Sequence, residues 1–351
     1  MRFPEHKMLE AKTLSKKLVR KAGNVLSGVS DDMPLDNAMD ILSKWRAEHA
    51  YPINELQVYL RRVLARNKFS NAIVAQRLKR TPSIIEKLKR FKTMSLDRMQ
   101  DIGGVRVIVD NINDVYRLHK LIETSKRFKH QLELPPHDYI ESPKSDGYRS
   151  LHQVIRYRSE AHEELNGLRL EIQIRTRLQH SWATAVETLG MIQKSSIKTG
   201  GGDEVTRRFF KIASALFALE EKRNLPEGFK NSTKSDLVKE LNQIEESDKV
   251  LTQLRGVAVS AHHIDTITKD YTGYHVLQLF ISEQRVRLTA FKEAQDAESF
   301  YKTKEIETKD DPNMAIVLMS AGALKDIKKA YPNYFLDTTA FLGNIEKISN
   351  R

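Results

Sequence analysis

The sequence contains no cysteine among its 351 residues. That absence excludes a disulfide framework, a thiolate nucleophile, a zinc ribbon and an iron–sulfur cluster. Long apolar runs are also missing: none approaches the ~20 residues needed to cross a bilayer. The first stretch, MRFPEHKMLEAKTLSKKLVRKAG, lacks the apolar core of a secretory signal. Both absences lead to the expectation of a cytoplasmic protein with no membrane partner. Acidic residues are in deficit, 46 Asp and Glu against 58 Lys and Arg, for a formal charge of +12. What is present, 40% hydrophobic and 30% charged residues, suffices for a packed core and argues against a wholly disordered chain. At roughly 150 residues per domain the length suits about two domains.

The acidic deficit is local. Between Leu60 and Gln100 twelve Lys and Arg face Glu86 and Asp97 alone, which places +10 of the +12 within 41 residues. A solvated helical face is one account of such a run, and an anion site for polyphosphate or nucleic acid is the other. Apolar residues recur between the cations (Ile73, Val74, Leu78, Ile84, Ile85, Leu88), so the charges are mounted on folded elements. That arrangement favours a shaped pocket.

Periodicity predicts helices over Pro4–Val25, Asn37–Glu48 and Pro52–Arg66, a helix over Ser70–Lys79, and another over Ser83–Phe91 opened by Thr81-Pro82-Ser83. The pattern then changes to strands at Val105–Val109, Ser150–Tyr157 and Leu168–Ile174, with a helix over Asp114–Thr124. In the last strand Leu168, Leu170, Ile172 and Ile174 point one way, and Arg169, Glu171, Gln173 and Arg175 the other. Helices follow at Leu178–Leu189 and Glu204–Lys222, separated by Thr199-Gly-Gly-Gly202. A long charged helix (Lys234–Leu254) then leads to a β-β-α-β-α run: Tyr274–Ile281, Val286–Phe291, Ala294–Thr303, Met314–Met319 and Ala321–Tyr331. The expected fold class is α+β, a mixed sheet flanked by helices with N-terminal helices and a small C-terminal α/β domain. The divisions are 1–70, 71–225 and 226–351. His262-His263 with Asp265 reads as a polar loop, since an adjacent His pair without further ligands is a poor metal site.

Two carboxylates stand out. Asp101 starts a strand in Asp101-Ile-Gly-Gly-Val-Arg-Val-Ile108, and Glu171 lies on the polar face of another. Carboxylates on neighbouring strands suit a hard cation such as Mg²⁺, which needs few protein ligands when phosphates supply the rest. Arg77, Lys79, Lys87, Lys144, Arg149 and Arg175 surround them in sequence, as a polyphosphate would require.

Four segments in order resemble the synthetase domain of the RelA/SpoT family, the alarmone (p)ppGpp synthetases. They are Arg77-Leu-Lys-Arg-Thr-Pro-Ser-Ile-Ile-Glu-Lys87, Asp101–Ile108, Pro143-Lys-Ser-Asp-Gly-Tyr-Arg-Ser-Leu-His152 and Glu171-Ile-Gln-Ile-Arg-Thr176. The resemblance implies a nucleotidyltransferase-like mixed sheet. It also implies Mg²⁺-dependent transfer of pyrophosphate from ATP to the 3′-hydroxyl of GDP or GTP. By that resemblance Asp101 and Glu171 hold the metal, and Glu171 is also the candidate base. Arg77, Lys79, Ser83 and Lys87 meet ATP. Lys144, Tyr148 and His152 meet the acceptor, with Tyr148 stacking on guanine, and Gln173 and Arg175 orient Glu171. His180 and Trp182 are expected to pack against the sheet.

The long members of that family carry a hydrolase domain with a His-Asp motif. The residues before Arg77 contain no such pair, so no hydrolase activity is expected; His137-Asp138 reads as a loop beside a strand at Tyr139. Some small members are toxins that place pyrophosphate on the 3′-end of tRNA, which makes tRNA the alternative acceptor. A nucleotide- or RNA-binding regulator without catalysis is the reading from another class. Association with further copies of the chain is left open.

Overall fold

The computed structural model describes residues 14–192, 204–248, 250, 251, 254, 274–280, 285–308, 314–320 and 339–350. Three helices come first: α1 (Lys16–Leu26), α2 (Leu35–Glu48) and α3 (Ala50–Arg66). Ser15 caps α1, its hydroxyl accepting from the Leu18 amide. Residues 4–13 of the expected first helix lie outside the described residues, as do Thr199–Gly202, His262, His263, Asp265 and the expected helix at 321–331.

A five-stranded sheet follows, in the order β1-β2-β5-β4-β3. Its strands are β1 (Ile73–Leu78), β2 (Gly103–Val109), β3 (Gln131–Asp138), β4 (Leu151–Arg156) and β5 (Arg169–Thr176). β2 and β5 run parallel, and the other neighbours are antiparallel, so the sheet is mixed as expected. α4 (Thr81–Arg90) joins β1 to β2, and α5 (Ile112–Glu123) joins β2 to β3. On one face Val105, Val107, Leu170, Ile172, Ile174, Leu151 and Ile155 meet α1–α5 in a continuous core. The other face is covered by α6 (Arg177–Ile192), with α7 (Glu204–Glu220) and α8 (Lys234–Asp248) beyond it.

Two expectations are corrected. The segment 70–79 is not helical: Ile73–Leu78 is an edge strand paired antiparallel with β2. Its β-branched Ile73-Val74 suits a pleated surface, and the ladder offered by β2 decides against a short isolated helix. His137 and Asp138 are not loop residues but the end of β3, opposite His152 and Leu151. The preceding Pro135-Pro136 is tolerated because β3 is an edge strand, and the register shifts there.

Further along the chain β6 (Tyr274–Phe280), β7 (Arg285–Phe291) and β8 (Met314–Ser320) form an antiparallel sheet, order β7-β6-β8, with α9 (Ala294–Glu307) against it. The last helix, α10 (Thr339–Ser349), packs on α6 and α7, where Phe341, Leu342, Ile345 and Ile348 join their core.

His49, between α2 and α3, is 1% exposed, and its Nδ1–H donates to the Trp45 carbonyl at 2.8 Å. Burial pushes its imidazole down to about 4, with the Trp45 hydrogen bond opposing only in part. The folded state therefore keeps His49 neutral while the unfolded chain takes up a proton below about 6.5. That share of stability is complete above pH 6.5 and declines as pH falls toward 4, because the unfolded state then binds more protons. Between pH 7.5 and 5 the loss is about 2 kcal/mol. Urea unfolding at the two pH values should show a smaller difference for His49→Gln than for the parent chain, and equal differences would overturn the assignment.

Candidate active site

The β2–β5 register builds the site. Gly104 lies opposite Glu171 and Arg106 opposite Gln173, while Arg77 of β1 lies opposite Gly104. Paired residues share a face, so Arg77, Arg106, Glu171, Gln173 and Arg175 stand on the side away from the main core. A pocket there is lined by Arg77, Asp101, Gly103, Gly104, Val105, Arg106, Glu171 and Gln173. Asp101 and Glu171 thus border one recess. Gly104 lets β2 and β5 approach closely beside it, since an added Cβ would sit 2.2 Å from the Glu171 carbonyl oxygen.

Asp101 sits between two ammonium groups, Lys79 Nζ from the end of β1 and Lys87 Nζ from α4, each at 2.8 Å. Burial would raise its carboxyl, but the two lysines outweigh that and hold it below the usual carboxylate range. Lys79 is pushed down by burial, with Asp101 opposing. Arg46 fixes this corner by donating from Nε to the Lys79 carbonyl and from NH1 to Thr81 Oγ1. Ser83 occupies the first turn of α4, half-buried, outside the residues that line the pocket.

Glu171 belongs to a closed ring of hydrogen bonds. His152 Nδ1 lies 2.7 Å from Glu171 Oε1, and Gln173 Nε2 donates to Glu171 Oε2 at 2.6 Å. Arg175 donates to Gln173 Oε1 at 2.9 Å and to the Tyr148 hydroxyl at 2.6 Å. The Tyr148 hydroxyl meets His152 Nε2 at 2.8 Å and closes the circuit. Arg77 adds a contact to Gln173 Oε1 at 3.4 Å. Burial alone would raise the Glu171 carboxyl, yet His152, Gln173 and Arg77 hold it far below the ordinary range. Burial likewise lowers the His152 imidazole, and Tyr148 and Glu171 more than restore it, to above its ordinary value.

Lys144 and Tyr148 lie on the β3–β4 loop. The Tyr148 ring is 7% exposed, with edge contacts to Tyr139, His152 and Trp182. Lys144 Nζ stands 4.2 Å from the Tyr139 centroid and 5.1 Å from that of Tyr148. Trp182 packs in the core beyond the sheet, its indole donating to the Phe210 carbonyl at 2.7 Å.

Arg106 escaped the reading of the sequence because it sits inside a β-branched strand. Its parity with Gly104 is the signal that could have found it. It is 8% exposed, lines the pocket, and its Nε has no hydrogen-bond partner among the described residues. Burial, with Arg175 and Arg77 adding repulsion, lowers its guanidinium to about 9, against partial support from Glu187 and Tyr148. It remains a cation at neutral pH. The pocket therefore sets two arginines beside two carboxylates, one of which carries two lysines, a charge pattern that receives an anion and can hold a hard metal ion.

Residues 76–192 match the region found in RelA / SpoT proteins. The GTP pyrophosphokinase YjbM of Bacillus subtilis is 27% identical over 176 residues, which cover 48% of this chain and 80% of that protein. The GTP pyrophosphokinase YwaC of the same organism is 34% identical over 114 residues, or 31% of this chain and 52% of that one. For the GTP pyrophosphokinase rsh of Brucella ovis the values are 38% over 111 residues, 30% and 13%. The chain thus spans about half of YwaC and a small part of rsh. Among solved structures, small alarmone synthetase 1 from Bacillus subtilis bound to its product pppGpp is similar, with TM-score 0.43 and 26% identity. The match covers 51% of this chain and 92% of that one. Residues 76–192, the stretch that matches the region found in RelA / SpoT proteins, contain every residue lining the pocket.

Proposed function

We propose that this chain transfers pyrophosphate from ATP to the 3′-hydroxyl of GDP or GTP. The observation that carries the reading is that Asp101 and Glu171 border one pocket whose other polar walls are Arg77, Arg106 and Gln173, with Lys79 and Lys87 on Asp101. Phosphoryl-group chemistry of this kind depends on positioning and charge stabilisation, which such a pocket supplies. The RelA/SpoT region and the printed activity of its relatives, GTP pyrophosphokinase, support the same choice.

In the reaction the 3′-oxygen of the acceptor bonds to the β-phosphorus of ATP. The bond from that phosphorus to the α,β-bridging oxygen breaks, AMP leaves with the oxygen, and the proton of the 3′-hydroxyl passes to solvent. Arg77, Lys79, Lys87 and Arg106 bind the triphosphate and take up the charge that develops on it. Ser83, at the start of α4, offers a donor to the same nucleotide. Lys144, Tyr148 and His152 hold the acceptor; a guanine stacked on Tyr148 requires Lys144 to leave the ring it now stands over.

The two carboxylates fit Mg²⁺ as a donor set. Each oxygen accepts one hydrogen bond or ion pair here and retains a further lone pair, and phosphate oxygens would complete the shell. Bound there, Mg²⁺ would offset phosphate charge and polarise the attacking hydroxyl. The strongly lowered Glu171 carboxyl makes a weak base, so its part in the proposal is to hold the metal and orient the hydroxyl. Gln173 and Arg175 keep it in place.

The test supplies β-labelled ATP with GDP, GTP or deacylated tRNA, with and without Mg²⁺. Label should appear on the guanosine nucleotides in the presence of Mg²⁺. Label on tRNA alone would replace the acceptor, and no transfer to any of them would overturn the reading.

A further inference from the structure

The loop that carries Lys144 and Tyr148 is held from outside the family region. Ser214, in the middle of α7 and 2% exposed, donates from Oγ to the Gly147 carbonyl at 2.6 Å. Gly147 has φ +90°, and a Cβ there would sit 3.2 Å from the Ser214 Cβ, so the two backbones are in close approach. Two further ties follow α7. Glu221 pairs with Arg149 at 2.5 Å, and Arg223 and Asn224 bond to Glu141 at 3.0 and 2.7 Å. Within the loop the Gly147 amide donates to Lys144 and the Lys144 amide to Tyr148. The Tyr148 amide donates to Asp146. A displacement at Gly147 therefore carries Lys144 and Tyr148 with it.

α7 is in turn backed by α10. Phe341 packs 5.8 Å from Phe210 and 5.7 Å from Phe217, four residues before Ser214 and three after it, hence on its face of the helix. Asn344 also reaches Ser181 of α6 at 3.3 Å. The end of the described chain is thus two contacts away from the acceptor loop.

We propose that Ser214 is a positioning residue for the acceptor nucleotide, and that α10 holds α7 at the distance this contact needs. The inference rests on the transfer reaction above and adds that acceptor affinity is set by elements beyond residues 76–192. Loss of one buried hydrogen bond that orders a binding loop weakens binding roughly tenfold.

The full chain and its Ser214→Ala, Ser214→Thr and Phe341→Leu variants would be compared. Ser214→Ala should raise KM for GDP and GTP roughly tenfold while kcat and the KM for ATP stay within about twofold. Ser214→Thr, which keeps the hydroxyl, should restore the acceptor KM, and Phe341→Leu should raise it selectively. Hydrogen exchange at residues 139–150 should quicken in Ser214→Ala, with β5 unchanged. Equal rises in both KM values, a fall in kcat alone, or an unchanged acceptor KM would overturn the proposal. If the parent chain transfers nothing, the transfer reading fails. The brace is then judged by exchange, and unchanged protection of 139–150 in Ser214→Ala overturns it.

Discussion

Glu171→Gln should lower kcat for pyrophosphate transfer on the order of a thousandfold, with the KM for ATP held within about threefold. The substitution keeps the volume of the side chain and removes its charge. Two losses combine. The pocket loses one of its two carboxylates, so a divalent ion there would lose an anionic ligand. The hydrogen-bond ring also loses an acceptor, because an amide nitrogen must now face His152 or the Gln173 amide. In the proposed reading ATP affinity rests instead on Arg77, Arg106, Lys79 and Lys87, which the change leaves in place. Steady-state kinetics with ATP and GDP, beside titration with a non-hydrolysable ATP analogue, would separate the two. A variant that turns over at the parent rate would remove Glu171 from the reaction.

The second large effect is expected from Gly104→Ala, and it originates in the backbone. The new Cβ would stand 2.2 Å from the Glu171 carbonyl oxygen, 3.1 Å from its carbon and 3.2 Å from its nitrogen. All three are main-chain atoms of the neighbouring parallel strand, so no rotamer change relieves the contact. β2 and β5 must separate where their register places Glu171 beside the pocket. A cost of about 3 kcal/mol in stability is expected, as for an overpacked core position. Transfer should fall at least roughly tenfold even in the folded fraction, since a small misplacement of a catalytic group is costly. Chemical denaturation and kinetics together check this, and parent-like behaviour in both would show that the strands yield freely.

The two predictions meet in the hydrogen-bond ring. Five side chains from the β3–β4 loop, β4 and β5, Glu171 among them, form one hydrogen-bonded circuit. In a buried setting such a circuit is strong when complete and costly when broken. Arg175, 1% exposed, still leaves Nε and NH1 without a hydrogen-bond partner among the described residues. The circuit therefore fixes Glu171 more fully than it satisfies the arginine behind it.

Several parts of this arrangement were legible in the residues themselves. Alternation along 168–175 assigned Glu171, Gln173 and Arg175 to one face. The cation run between Leu60 and Gln100 located three of the cations now at the pocket, and the order of four segments indicated the family. These signals are local: a strand's period of two and a helix's period of 3.6 are properties of neighbouring residues. Ile73–Leu78 was misread because its apolar spacing also suits a helix, and the decision lay with β2, some 30 residues away, which supplied the ladder. Arg106 was hidden among Val105, Val107 and Ile108 until the sheet showed which face was covered. Tyr148 could be placed near the acceptor by resemblance. Its bond to Arg175 crosses 27 residues, and the Ser214 bond to Gly147 crosses 67. Sequence alone determined which residue types were available, the fold class and the face on which Glu171 would stand. Tertiary structure decided which of them touch, because hydrogen bonds and ion pairs at 2.5–3 Å depend on how distant strands and helices are brought together.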